Sequence, residues 1–176
     1  MNYGQIYHND VANGPGCRTS LFVSGCTHHC KGCFNEMTWD FNYGEKYTAK
    51  TEESIIESLE PEYIAGLTIL GGEPMELCNQ EYIVKLIKRV KELYPKKTIW
   101  LYSGYTWEEL TDTENKRCHG AHTMEILGMI DILVDGEFVL EKKDMRLKYR
   151  GSSNQRIIDV KKTVKENEIT LSEYNA

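Results

Sequence analysis

The sequence has no apolar run of membrane-spanning length, no excess of positive charge and only 4 prolines in 176 residues. A helical bilayer span takes roughly 20 apolar residues, so no membrane partner is expected. Acidic residues outnumber basic ones, 27 against 21, for a net charge of −6. Nucleic-acid binding needs a basic face that neutralises phosphates, so nucleic acid is not the expected partner. Met1-Asn2-Tyr3-Gly4-Gln5 lacks the basic region and apolar core of a secretory leader. The expected location is therefore cytoplasmic, where thiols stay reduced. The 6 cysteines then read as free or metal-bound rather than disulfide-bonded. Repeats and low-complexity tracts are also absent.

What is present fits a soluble α/β protein. Apolar residues make up 40% and charged residues 27%, and the length suits one domain over residues 1–176 with its own core. Leu21-Phe22-Val23 reads as a buried strand ending at Ser24-Gly25. Leu67 to Leu70, Thr98 to Tyr102 and Ile130 to Val134 read as further strands, and Arg156 to Val160 as a last edge strand. Between them, Ile55, Ile56 and Leu59 mark a short helix closed by Pro61. Ile83, Leu86, Ile87, Val90 and Tyr94 mark an amphipathic core helix closed by Pro95. Thr106-Trp107-Glu108-Glu109 has the form of a capping box, and Met124 to Met129 reads as helix. Residues 34–50 look irregular and aromatic. The alternation predicts a mostly parallel sheet of about four to five βα units. That is too few for a full eight-unit barrel, so a partial, open barrel is expected. Gly-bearing turns follow four strands at their C-terminal ends, where ligands of parallel α/β sheets bind.

The cysteines are uneven. Cys26, Cys30 and Cys33 form a C-x3-C-x2-C group directly after the first predicted strand. Three thiolates on a tight loop can hold three irons of a cubane 4Fe-4S cluster and leave the fourth open. Electron-transfer clusters take four thiolates, so an open iron points to catalysis. A structural zinc site with His28 or His29 as fourth ligand is the rival reading, although the usual second C-x2-C pair is missing. Cys17 and Cys78 read as small packing residues. Cys118, His119 and His122 read as a loop.

C-x3-C-x2-C after the first strand resembles the radical S-adenosylmethionine superfamily. Gly71-Gly72-Glu73-Pro74 after the second predicted strand resembles the element that receives the amino group of S-adenosylmethionine there. The glycines allow close backbone approach, and a carboxylate or carbonyl can accept from the ammonium. Gly14-Pro15-Gly16-Cys17-Arg18-Thr19 resembles the start of glycyl-radical activating enzymes. The cluster loop, Leu101 to Thr106, Val134 to Phe138 and Tyr149 to Arg156 resemble activases of anaerobic ribonucleotide reductase. The likeness runs from about residue 14 to 160. Two departures stand out. Gly32 occupies the position before the third cysteine, where an aromatic faces the adenine in many members. Gly136-Glu137-Phe138 replaces the usual Gly-Pro-Phe.

The resemblance implies a radical S-adenosylmethionine barrel, with Cys26, Cys30 and Cys33 holding the cluster. It implies S-adenosylmethionine contacts from Gly32, Cys33, Phe34, Gly71, Gly72, Glu73 and Pro74. Phe34 or His29 could supply the missing stacking face. The implied partners are the large subunit of anaerobic ribonucleoside-triphosphate reductase and flavodoxin or a similar reductant. Activation of another glycyl-radical enzyme, radical S-adenosylmethionine ring synthesis and a non-catalytic metal module are the alternatives. Ser103 and Asp135, at predicted strand ends, are candidates for ribose contacts, against ordinary turn chemistry. Arg18 could neutralise the cluster or the ligand carboxylate. Residues 150–156 form a polar, mobile-looking loop that could cover the site or meet the reductase. Trp39 to Tyr47 could dock a partner or pack over the sheet.

Overall fold

The apolar run at Leu21 is the second strand of a sheet, not its first. The computed structural model describes residues 1–176. Its strands are β1 (Asn2–Asp10), β2 (Cys17–Val23), β3 (Glu45–Lys46), β4 (Ile64–Gly71), β5 (Thr98–Ser103), β6 (Ile132–Asp135) and β7 (Arg156–Asp159). They form one sheet in the order β3-β1-β2-β4-β5-β6-β7, which does not close on itself. β2, β4, β5 and β6 are parallel. β1 joins β2 antiparallel, β3 joins β1 antiparallel, and β7 joins β6 antiparallel.

The helices are α1 (Ala49–Ser58), α2 (Leu77–Leu93), α3 (Trp107–Thr111), α4 (Thr123–Met129) and α5 (Val160–Glu166). Strand-to-helix steps run β2–α1, β4–α2, β5–α3–α4 and β7–α5. Side chains alternate across a strand, and the two sheet faces differ accordingly. Leu21, Val23, Ile69, Leu101 and Leu133 pack with Ile55, Ile83, Leu86, Leu110 and Ile126 in one core to which all five helices contribute. Their alternates Trp100, Ile132, Val134 and Ile157 form a second cluster with Tyr102, Tyr149 and Tyr174. No α-helix packs into that second cluster, and the cavity opens on that face. Full burial of each Leu or Ile contributes roughly 1.5–3 kcal/mol, so the helix-covered face anchors the open one.

Thr106 and Glu109 form the expected capping box at α3, with Thr106 N–H donating to Glu109 Oε2 at 2.8 Å. A second one, at Thr48 and Thr51, starts α1. Ile130 is buried but caps α4 instead of opening β6. β1 has no sequence-stretch of apolar alternation long enough to announce it, because most of its residues are half or fully exposed at the sheet's thin edge. No helix is long and apolar enough to cross a membrane.

Candidate functional site

β2 carries the chain to Gly25, at the C-terminal end of the parallel strands. Cys26, Cys30 and Cys33 follow in an irregular loop and line one cavity of about 490 Å³. Backbone bonds fix the start of this loop: Gly25 N–H donates to the Thr38 carbonyl at 2.7 Å and Cys26 N–H to the Trp39 carbonyl at 3.3 Å. Gly32 turns with φ +75°, a conformation that suits glycine.

Gly71, Gly72 and Glu73, at the end of β4, line the same cavity. A Cβ on Gly72 would lie 2.7 Å from the Gly25 carbonyl oxygen and 2.8 Å from that of Thr38. Glycine is therefore what lets this turn press against the cysteine loop. Asn79, on α2, ties the two together, its side-chain amide donating to the Ser24 and Glu73 carbonyls at 3.0 Å each.

The Glu73 carboxylate is buried and fully engaged by protein donors. Oε1 accepts from the Ser103 hydroxyl and the Met75 N–H, both at 2.8 Å. Oε2 accepts from the Gly104 N–H at 2.7 Å and meets His28 Nε2 at 3.0 Å. A buried carboxylate needs such partners, and here they join three strand ends. The Gly72 carbonyl is the neighbouring acceptor that no protein donor occupies.

His28 bridges two carboxylates: Nδ1 lies 2.7 Å from Glu137 Oε1, opposite the Glu73 contact. With acceptors on both sides, both ring nitrogens carry protons. Burial alone would lower the His28 pKa, but the hydrogen bonds and charges of Glu73 and Glu137 outweigh it and raise it. His29 stacks on Trp39, with ring centroids 4.4 Å apart and planes 14° apart. Both histidines are thus engaged elsewhere, and no three His, Cys, Asp or Glu side chains gather around a single metal ion.

Burial pushes the Cys26 thiol up to about 12, against the main-chain N–H groups of His28 and His29 that favour its thiolate. Burial and then the Glu137 charge raise Cys30, which the Phe138 N–H opposes. Asn35 N–H points at Cys33 Sγ at 3.4 Å. Metal binding at these thiols must release protons, and neighbouring main-chain N–H groups favour the anions.

The other expected site residues divide. Ser103 lines the cavity, but its hydroxyl is given to Glu73. Phe34 stands at the cavity, 84% exposed. Pro74 and Asp135 are not among the lining residues. Asp135 instead pairs through both oxygens with Arg156, at 2.9 and 2.5 Å, and accepts from the Trp107 N–H at 2.7 Å. Its neighbour Val134 takes the cavity side because adjacent strand residues point to opposite faces.

Arg18 is also away from the lining. It is buried and donates to the carbonyls of Leu67 and Thr98 and to the Thr68 and Thr98 hydroxyls. Burial lowers its pKa to about 10, so it stays charged at neutral pH. The 150–156 loop is internally bonded: Gln155 Oε1 accepts from the Gly151 and Ser152 N–H groups, and Arg150 donates to the Gln155 carbonyl. Arg150, Gly151 and Gln155 form part of the cavity wall. The aromatic stretch packs, with Tyr47 buried against Tyr3 and Tyr82. Cys118 is a core residue, whereas Cys78 is exposed and Cys17 half-buried.

Sequence reasoning missed Glu76, Asn79, Glu137 and the 143–149 segment, which completes the wall. Glu73, Glu76 and Asn79 recur every three residues from the glycine turn through the N-cap into the first turn of α2. Polar types at that spacing, next to a glycine turn, were the available signal.

These features define an α/β protein with one cysteine-lined site at the C-terminal strand ends. The model of the 4Fe-4S single cluster domain family matches residues 12–158. An anaerobic ribonucleoside-triphosphate reductase-activating protein of Vibrio cholerae serotype O1 is 46% identical over 159 residues, covering 89% of this chain and 97% of the relative. Proteins of the same name from Escherichia coli K12 and Enterobacteria phage T4 are 43% and 40% identical over 157 residues each. They match 88% and 89% of this chain and 96% and 93% of their own lengths. The chain belongs to the anaerobic ribonucleoside-triphosphate reductase-activating protein family.

Proposed function

We propose that this chain activates anaerobic ribonucleotide reductase as a radical S-adenosylmethionine enzyme, working in the cytoplasm with residues 1–176 as one domain. The open sheet is read as the partial barrel of that superfamily. The observation that carries the reading is the shared cavity of Cys26, Cys30 and Cys33 with the Gly71-Gly72-Glu73 turn. Three thiols with backbone donors and no spare histidine fit a 4Fe-4S cluster with one open iron. When bound, the cluster supplies one electron, taken from flavodoxin or a similar reductant, that splits S-adenosylmethionine into methionine and a 5′-deoxyadenosyl radical able to take hydrogen from a glycine of the reductase large subunit.

The protein's own task is to hold and shield. Gly72 offers its free carbonyl to the ligand's ammonium, while Glu73 keeps the turn rigid. Phe34 offers a ring to the adenine in place of the aromatic missing at Gly32; His29 is occupied by Trp39. Ser103 supports the cradle through Glu73, its hydroxyl donating to Glu73 Oε1 while accepting from the Tyr105 N–H. The test is anaerobic reconstitution with iron and sulfide, followed by dithionite and S-adenosylmethionine. Formation of 5′-deoxyadenosine, and a glycyl radical by EPR once the large subunit is added, is expected. An intact cluster that yields neither with the partner present would refute the reading.

A further inference from the structure

Glu137 belongs to the turn in which this chain departs from the Gly-Pro-Phe pattern. Its carboxylate reaches across to His28 Nδ1 at 2.7 Å, with the imidazole almost wholly buried and Glu137 half exposed. His28 is a firm anchor, because Glu73 grips its other nitrogen and is itself fixed by Ser103, Gly104 and Met75. On the other side, the Asn154 side-chain amide donates to the Glu137 carbonyl at 2.9 Å. Phe138, the residue after Glu137, lines the same cavity as Cys30, and its main-chain N–H favours the Cys30 thiolate as that of His28 favours the Cys26 thiolate. The ion pair thus joins the two segments whose amides favour two of the three thiolates.

We propose that Glu137 is a positioning residue for the cluster: its bond to His28 draws the 136–138 turn onto the cysteine loop and holds the Phe138 main chain beside Cys30, where its N–H can serve a cluster sulfur. This rests on the reading of the three cysteines as cluster ligands. Hydrogen bonds to cluster sulfurs raise the reduction potential, and nearby negative charge lowers it. Glu137 acts in both senses, through the amide it places and the charge it carries, and two variants separate them. Glu137→Gln removes the charge but keeps an oxygen for the His28 N–H. Glu137→Asp keeps the charge but is one methylene too short to close the contact.

The full chain is reconstituted anaerobically as wild type, E137Q, E137D and E62Q, the last a control at an exposed glutamate. Midpoint potentials are read by EPR-monitored redox titration, with the spectrum of the reduced cluster and the rate of iron loss to a chelator. E62Q should match wild type. E137Q should lie above wild type. E137D should lie below it, with an altered EPR line shape and iron loss about 10-fold faster, the scale seen when supporting contacts around metal sites are removed. An E137D potential at or above wild type overturns the proposal, as does an E137Q potential at or below it. If wild type takes up no 4Fe-4S cluster, the ligand reading itself fails, which is a separate result.

Discussion

Glu76 Oε1 accepts two hydrogen bonds from Thr27, one from its main-chain N–H at 2.7 Å and one from its hydroxyl at 2.6 Å. Thr27 follows Cys26 directly, so a side chain at the start of α2 grips the cysteine loop. Arg117 closes over this contact, donating to the Thr27 hydroxyl at 3.1 Å with its guanidinium 5.1 Å from the Tyr105 ring. Glu76→Ala leaves a part-buried N–H and hydroxyl without their acceptor. The expected loss is about 2 kcal/mol in urea unfolding of the metal-free protein, together with lower iron content after reconstitution. Glu76→Gln, which keeps an acceptor oxygen, should lose less on both counts. Equal losses in the two variants would show that the charge, not the hydrogen bonds, holds the loop.

Arg18 supports the opposite part of the structure. Its guanidinium satisfies carbonyls and hydroxyls on β4 and β5 and lies 5.8 Å from the Trp100 ring. Arg18→Leu should cost about 3 kcal/mol, because several buried acceptors lose their donor together. Iron bound per folded molecule should stay at the wild-type value. A cluster defect in folded Arg18→Leu protein would restore a direct role for this residue.

Asp131 joins α2, α5 and β5. It pairs with Lys91 at 2.8 Å and Lys161 at 2.5 Å, and accepts from the Ile99 N–H at 2.7 Å. Burial alone would raise its pKa, but these partners outweigh it and hold the carboxyl below its usual value. The unfolded chain therefore binds the proton more readily. This contribution is fully present above about pH 4 and is lost as pH falls through the lower folded value. Asp131→Asn should lower stability at pH 7 by about 1 kcal/mol, with the exposed Lys161 screened by solvent. Its acid limb should be flatter than wild type when unfolding is followed from pH 7 downward. A limb of unchanged slope would rule Asp131 out as a source of acid sensitivity.

Phe34 is exposed at the cavity and contributes little to packing. Phe34→Ala should leave stability within about 0.5 kcal/mol of wild type. If its ring stacks on adenine, equilibrium binding of S-adenosylmethionine to the reconstituted protein should weaken about fivefold, the scale of one aromatic contact. Undiminished affinity would remove Phe34 from the ligand site.

Several elements are legible in the sequence alone. The strands around Leu21, Leu67, Thr98 and Leu133 and the long helix through Ile83 follow from apolar period and turn residues, which are local. The capping box at Thr106 is equally local. β1 was not legible: as a largely exposed strand beside a two-residue edge, it carries no strong apolar alternation. Its position depends on pairing with β2, between residues 8 to 20 positions apart. Asp135 shows the same limit at a single residue. Its place at a strand end was readable, but the side it faces depends on register and on Arg156, 21 residues further along.

Cys26, Cys30 and Cys33 lie within eight residues, so chain connectivity alone keeps their thiols close, and the Gly71-Gly72 turn is likewise a property of neighbouring residues. Folding settled which groups remain free around them. Glu73 looked like a ligand for an ammonium, yet Ser103, Met75, Gly104 and His28 occupy it. His28 looked available to a metal, yet it sits between Glu73 and Glu137, 45 and 109 positions away. Buried charges must find partners, and those partners come from strands and loops that meet only when the sheet is assembled.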